Sequence, residues 1–238
     1  MPNPALWAFV AKNKSKDVRI LLATRDVNID EEGGDPLSTP LYVALMNQNT
    51  DMVRLLLQNN ANPNKQNHRG CTPLSLLTQL RVDIVKMLLD YSADVNLKNA
   101  EGHSPLSIAT RGRFTNDNIQ ISITHMLIDY GADINSRSNN GITPLMSAVC
   151  NGSYWIVTIL LNYDADISIR NDNGKTAEEL GINGNPGQRL CATILRCIRN
   201  QQEKHLAIAM KQKLSTDVAR RVFQYIPTAH STMSSSLP

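Results

Sequence analysis

The amino-acid sequence predicts an all-α solenoid of about six stacked helix–turn–helix repeats, joined by short β-hairpin loops. Two short phrases that recur in register along the chain predict this fold. The first is Thr/Ser-Pro-Leu, whose prolines lie at positions 40, 73, 105 and 144, so that successive copies are 33, 32 and 39 residues apart. A period of about 33 residues is typical of an array in which each unit stacks on its neighbours.

The second phrase follows each copy of the first after one amphipathic run. It is a turn rich in Asn, Asp and Ala, and it occurs at residues 60–64, 92–96, 131–135 and 164–168. Within this turn Asp94, Asp133 and Asp166 recur at one place, and an aspartate in a turn bonds its own backbone. We therefore expect these carboxylates to serve the turn rather than a metal or an acid–base site.

The fifth repeat shows how one unit folds. Thr143 fits the N-cap of a first helix, and Pro144 fits its first turn, where the N–H that proline lacks is not needed. Asn151-Gly152 ends this helix, because glycine adopts positive φ easily. One unit cannot bury both of its apolar sides alone, so neighbouring units must stack. The apolar residues at helical spacing are Leu145, Ala148, Val149, Ile156, Val157, Leu160 and Leu161.

The remaining repeats are variations on this unit. The first lacks Thr-Pro, but residues 6–22 align without a gap on residues 41–57, so both of its helices are expected. The fourth contains six extra residues within 110–118, and such a loop is either part of a partner site or a tolerated surface insertion. The sixth keeps only Lys175-Thr176-Ala177 of the first phrase and is expected to cap the stack. We place the repeats at about 3–34, 35–65, 66–98, 99–138, 139–170 and 171–200.

From about Ala5 to Asn200 the chain resembles the ankyrin-repeat family, on the two phrases and their period. The resemblance implies a non-catalytic scaffold for protein–protein interaction, which binds its partner through a concave surface of hairpin tips and first helices. The positions here that match this surface, together with the fourth-repeat insertion, are Asn67, His68, Arg69, Cys71, Gln79, Ala100, Glu101, His103, Arg111, Arg113, Phe114, Asn139, Asn140, Ile142, Asn151, Asp172, Asn173 and Lys175. His103 is expected to be exposed near a tip.

Composition and motifs narrow the function further. A net charge of +3 is too small to imply nucleic acid or an anionic membrane as a partner. No catalytic motif, metal-ligand spacing or phosphate loop is present, so we expect no enzyme activity, no metal and no cofactor. Of the four cysteines, Cys150 and Cys191 fall on core-type helical positions, which indicates buried free thiols and an intracellular, cytoplasmic setting. We expect a monomer.

Residues 201–226 leave the repeat pattern and are expected to form an amphipathic helical segment, followed by a disordered Ser/Thr-rich tail at 227–238. Residues 214–226 resemble the opening of an F-box. Ser215 replaces the proline of that pattern, and the residues after position 226 are too few for a full F-box. The positions that fit are Leu214, Asp217, Val218, Val222, Phe223, Tyr225 and Ile226.

This second resemblance opens an alternative function. Ankyrin arrays with such an element look like host-range proteins of poxviruses and effectors of intracellular bacteria, in which the element docks on the Skp-type adaptor of a cullin ubiquitin ligase. The chain would then recruit a substrate to the ligase from the host cytoplasm. The other interpretation is that this segment is a helix that covers the exposed end of the stack.

Overall fold

The computed structural model describes residues 5–24, 27–34, 38–67, 70–76, 81–112 and 116–199. In these ranges the chain forms six pairs of helices and no sheet, which confirms the all-α solenoid. The helices are α1 (Ala5–Ala11), α2 (Ser15–Ala23), α3 (Pro40–Met46), α4 (Thr50–Gln58), a 3-10 helix (Pro73–Leu76), α5 (Val82–Asp90), α6 (Pro105–Arg111), α7 (Asp117–Asp129), α8 (Pro144–Asn151), α9 (Tyr154–Asn162), α10 (Ala177–Gly181) and α11 (Pro186–Arg199).

The helices form two layers. The first helices of successive pairs contact one another in the order α1, α3, the 3-10 helix, α6, α8 and α10, and the second helices do so from α4 through α5, α7 and α9 to α11. Leucines from both layers fill the space between them and are almost fully buried, among them Leu45, Leu56, Leu88, Leu106 and Leu127. None of the helices in the described ranges is long and apolar enough to cross a membrane.

The Thr/Ser-Pro phrase starts the first helices as its chemistry predicts. The hydroxyl oxygen of Thr143 accepts a hydrogen bond from the N–H of Met146, and Ser104 accepts one from Ser107 in the same way. The incomplete copy of this phrase in the sixth repeat keeps the helix cap, because Thr176 and Glu179 form a reciprocal capping box. At the other end of α8, Gly152 adopts the left-handed conformation that was expected of it.

The connections between described repeats are turns rather than β-hairpins. In the third to sixth repeats two backbone hydrogen bonds close the turn. The residue at its base (67, 99, 138 or 171) accepts at its carbonyl from the N–H of the glycine three residues later, and it donates from its own N–H to the carbonyl four residues later at 3.0 Å. The next residue is already the N-cap of a helix, so no room remains for a ladder of strands. The exception among the described residues is a single bridge between Gly33 and Ser38.

The fourth-repeat insertion is partly helical, whereas a loop was expected. Helix α7 has 13 residues against nine in α5 and α9, and its extra turn lies at its N-terminus. Asn116 caps that turn by accepting from the N–H of Asn118, and Gln120 donates from Nε2 to the carbonyl of Ala109 at 2.8 Å. Residues 113–115, and with them Arg113 and Phe114, lie outside the described residues.

A ladder of Asn and Asp side chains runs from repeat to repeat through the second phrase. As expected, Asp94, Asp133 and Asp166 each accept from the N–H two residues later. A further bond that was not predicted links neighbouring repeats: Asn96 Oδ1 accepts from the N–H of Asp133 in the following repeat at 2.8 Å. Asn64 and Asn135 do the same for their own neighbours, so the ladder couples adjacent repeats.

Replacing Asn96 with alanine should lower the free energy of unfolding by about 1–2 kcal/mol, since it removes two inter-repeat hydrogen bonds. Besides its bond to Asp133, the Asn96 side chain donates from Nδ2 to the carbonyl of Gly131 at 3.0 Å. Urea denaturation measures the loss. The matched control is Ser168→Ala, which removes only a local bond to Asp166 and should change stability by about 0.5 kcal/mol or less. Equal losses in the two variants would contradict the coupling role of Asn96.

Candidate functional site

Two adjoining depressions lie along the tips and first helices of the second to fifth repeats. The repeat-five pocket, of about 420 Å³, is lined by His103, Arg111, Asn140, Ile142, Ser147, Cys150 and Asn151. The repeat-four pocket, of about 390 Å³, is lined by Tyr42, Cys71, Ser75, Leu76, Asn99, Glu101, His103, Ile108, Arg111 and Gly112. We call the two together the groove. His103 and Arg111 line both pockets, so they form the ridge between them.

The ridge is held by hydrogen bonds that fix the state of its histidine. Arg111 Nη1 lies 2.9 Å from His103 Nε2, and a guanidinium only donates, so this nitrogen accepts. The proton therefore sits on Nδ1, which donates to Ser107 Oγ at 3.3 Å. Burial lowers the pKa of His103, and the Arg111 charge lowers it further, against a smaller opposing effect of Glu101. His103 is consequently neutral at pH 7.

This histidine predicts a pH dependence of stability. The pKa of His103 in the folded protein lies below the ordinary value of 6.5. Its stabilising contribution to the free energy of unfolding is therefore present above about pH 6.5 and is lost as the pH falls through the lowered pKa. Replacing His103 with glutamine removes the titration. We expect the free energy of unfolding of the wild type, relative to His103→Gln, to fall between pH 7.5 and pH 5. Urea denaturation at several pH values tests this, and a constant difference would contradict it.

Each tip is shaped by a polar side chain at its base. Asn99 Oδ1 accepts from the N–H groups of Glu101 and His103, and Asn171 holds the sixth-repeat tip in the same way. Asn67 accepts from the N–H of Cys71, and only 7% of its surface is exposed. This side chain closes the turn, and contact of Asn67 with a partner stays a prediction. His103 is not exposed as expected, since 11% of its side chain is accessible and it lies beside Ser107.

The tips of the fourth, fifth and sixth repeats are tied to one another. Asn139 donates from its N–H to the carbonyl of Glu101 at 3.2 Å and from Nδ2 to the carbonyl of Ala100 at 3.0 Å. In the next interval, the N–H of Asp172 donates to the carbonyl of Asn140 at 3.2 Å. These bonds fix the spacing of the tips, so the wall of the groove is organised before any partner binds.

The repeat-five pocket contains a thiol and an unpaired hydroxyl that the sequence did not reveal. Cys150 is exposed, contrary to the expected burial, and it lines the repeat-five pocket. Cys191 is buried as expected, and burial raises its pKa to about 12. Ser147 is 95% buried (5% exposed), and its hydroxyl has no hydrogen-bond partner in the described part of the chain.

The structure brings only some of the expected contact residues to the groove. Seven of them line it: Cys71, Glu101, His103, Arg111, Asn140, Ile142 and Asn151. Ala100 and Asn139 lie in the tip contacts, and the exposed Asp172, Asn173 and Lys175 belong to the sixth-repeat tip beyond the groove. Outside the described residues lie His68, Arg69, Gln79, Arg113 and Phe114, and the whole F-box-like set: Leu214, Asp217, Val218, Val222, Phe223, Tyr225 and Ile226.

Where the structure describes the chain, no three His, Cys, Asp or Glu side chains are grouped so that they could hold a metal ion. In the groove His103 bonds both Arg111 and Ser107, and these bonds hold the imidazole neutral and the guanidinium in place.

Comparison with known proteins bears on the same residues. The family model described as ankyrin repeats (3 copies) matches residues 6–99 and again residues 82–171. No curated protein matches the chain. The matched segments together cover more than half of the sequence and contain every residue that lines the groove. Ankyrin repeats are in general modules for protein–protein interaction. The chain belongs to the ankyrin-repeat family.

Proposed function

We propose that the protein is a non-catalytic scaffold that binds a segment of a partner protein in the groove of the second to fifth repeats. The observation that carries this proposal is that the two adjoining depressions draw their lining from four successive repeats. His103 and Arg111 line both depressions. An extended peptide segment fits such a surface better than a compact small molecule, which binds in an enclosed cavity.

The groove also has the mixed character of a protein-binding surface. Ile142 and Ile108 offer apolar area, whereas Arg111, Asn140 and Asn151 offer hydrogen-bond donors around it. Because the tips are already bonded to one another, the partner would meet an ordered wall and little entropy would be lost there on binding.

Affinity purification from a eukaryotic cell lysate with groove-blocked variants of the full chain tests this function. Asn140→Trp places a bulky side chain at an exposed tip position of the repeat-five pocket. The matched control is Gln58→Trp, at the exposed end of α4 in the other layer. We expect the wild type and Gln58→Trp to capture the same protein and Asn140→Trp to lose it. Equal capture by all three would exclude the groove as the binding site.

A second candidate function comes from the F-box-like pattern at residues 214–226. In this candidate residues 1–200 form the array that recruits a substrate, residues 201–226 dock on a Skp-type adaptor, and 227–238 form a disordered tail. Two bound modules would raise the effective concentration of substrate near the ligase. The free thiols Cys71, Cys150, Cys191 and Cys197 fit the reducing, intracellular setting that this role requires.

The two candidates are separated by a substitution in the tail. Phe223→Asp in the full chain would abolish capture of a Skp-type adaptor and cullin if the tail docks on them, while capture of the groove partner would be unchanged. If neither the wild type nor the variant captures a ligase component, the adaptor function is excluded and the scaffold function stands alone.

A further inference from the structure

We propose that the repeat-five pocket receives a carboxylate side chain, Asp or Glu, of an acidic peptide segment, and that Arg111 is its ion partner. This inference rests on the proposed function, because the carboxylate belongs to the protein segment that occupies the groove. It adds the charge of that segment and the pocket in which the charged side chain binds.

Arg111 is the cation of the groove whose charge is not neutralised. Its guanidinium makes one hydrogen bond, to the neutral ring of His103, and no carboxylate of the described residues lies within salt-bridge distance. Two other arginines near the repeat tips are paired: Arg137 lies 3.3 Å from Asp172, and Arg170 lies 3.0 Å from Glu179. A guanidinium has five N–H donors in a planar fork that matches a carboxylate.

The bond to His103 also orients this fork. It holds Arg111 Nη1 at the ridge, and the exposed remainder of the guanidinium lines both pockets. An arginine held in place loses less side-chain entropy when it binds an anion than a free one does. His103 is therefore a positioning residue for Arg111.

The surroundings of Arg111 differ between the two pockets. The repeat-five pocket is lined by the amides of Asn140 and Asn151 and by Ser147, and it contains no Asp or Glu. The repeat-four pocket contains Glu101, whose Oε2 lies 4.0 Å from His103 Nε2. A carboxylate would be repelled from the repeat-four pocket and accepted in the repeat-five pocket, so the pair of pockets would fix the register of an acidic segment.

Ser147 is a second polar residue in the lining of the repeat-five pocket. Its hydroxyl is buried without a partner, and such a group destabilises the free protein. A bound carboxylate offers the acceptor that the hydroxyl lacks. Ser147→Ala should therefore leave the free protein folded and at least as stable, and weaken acidic ligands.

Selection from a phage-displayed library of random 12-residue peptides tests the proposal with the full chain. We expect the selected peptides to share one Asp or Glu at a fixed position. If peptides are selected without this residue, the acidic specificity is wrong while the groove still binds peptides. If no peptide is selected, the proposed function fails and the inference fails with it.

The selected peptide that binds most tightly is then used to measure how the charges of Arg111 and Glu101 affect affinity. Arg111→Gln keeps a donor for His103 but removes the cation, so affinity should fall roughly 10- to 100-fold, the range for a hydrogen bond to a charged group. Glu101→Gln removes the repelling carboxylate and should tighten binding. The matched control is Arg54→Gln on α4, which makes the same change in net charge on the other layer and should have no effect.

Two outcomes would overturn the proposal. One is equal loss of affinity in Arg111→Gln and Arg54→Gln, which would show a general charge effect. The other is an unchanged affinity in a folded Arg111→Gln variant, because the proposal makes Arg111 the ion partner. Because Ser147→Ala removes a hydroxyl that makes no bond in the free protein, it remains informative if Arg111→Gln folds poorly.

Discussion

Replacing Leu106 with alanine is expected to lower the free energy of unfolding by about 2–5 kcal/mol. Leu106 is fully buried in α6, a helix that packs on both the 3-10 helix of the third repeat and α8 of the fifth. Truncation removes apolar contacts and leaves a cavity that the surrounding side chains fill only in part. Urea denaturation followed by circular dichroism measures the change.

Two substitutions control this experiment. Leu106→Met keeps the volume and should cost less than about 1.5 kcal/mol. Ile198→Ala, at a side chain that is 37% exposed on α11, should cost much less than Leu106→Ala. A loss under about 1 kcal/mol in Leu106→Ala would mean that the fourth repeat is not packed as described.

Gly141→Ala is expected to lower the free energy of unfolding by about 2–3 kcal/mol, through backbone strain and a clash at the fifth-repeat tip. Gly141 has φ of +70°, a conformation that L side chains rarely adopt. A Cβ there would also lie 2.9 Å from the backbone nitrogen of Asp172 and closer still to its Oδ1. The substitution must therefore push apart two tips that are bonded to each other.

The chain provides a matched control one repeat later. Gly174 occupies the same place in the sixth-repeat tip, with φ of +71°, but a Cβ there would meet nothing within 4 Å. Gly174→Ala should cost about 1 kcal/mol, the strain alone. Thermal and urea denaturation of both variants isolate the clash as the difference. Equal costs would show that the tips of repeats five and six are not in contact.

The repeats were predictable because two phrases carry their own local chemistry. Thr143 caps, Pro144 starts and Gly152 ends a helix through interactions within a few residues, and such interactions can be read from sequence. The turn role of Asp133 was predictable for the same reason. The bond from Asp133 to Asn96 was not, because it joins residues 37 apart and depends on how repeats stack.

The candidate site was predictable in outline only. Family geometry indicated Arg111, Asn140 and Asn151, and the structure places all three in one pocket. Periodicity wrongly placed Cys150 in the core, because a helix between two neighbours has apolar positions on several sides and the sequence does not mark which side stays open. The extra turn of α7 was missed because its capping residue, Asn116, also fits a loop.

The central claim is that a partner protein occupies the groove, and the thiols report on it most directly. Peptide-resolved alkylation would be measured for the free chain and for the complex recovered by affinity purification. Cys150 lies in the repeat-five pocket, whereas Cys197 lies on α11, the last described helix. The account predicts slower alkylation of Cys150 in the complex and an unchanged rate at Cys197. An unchanged rate at Cys150 in a saturated complex would contradict it.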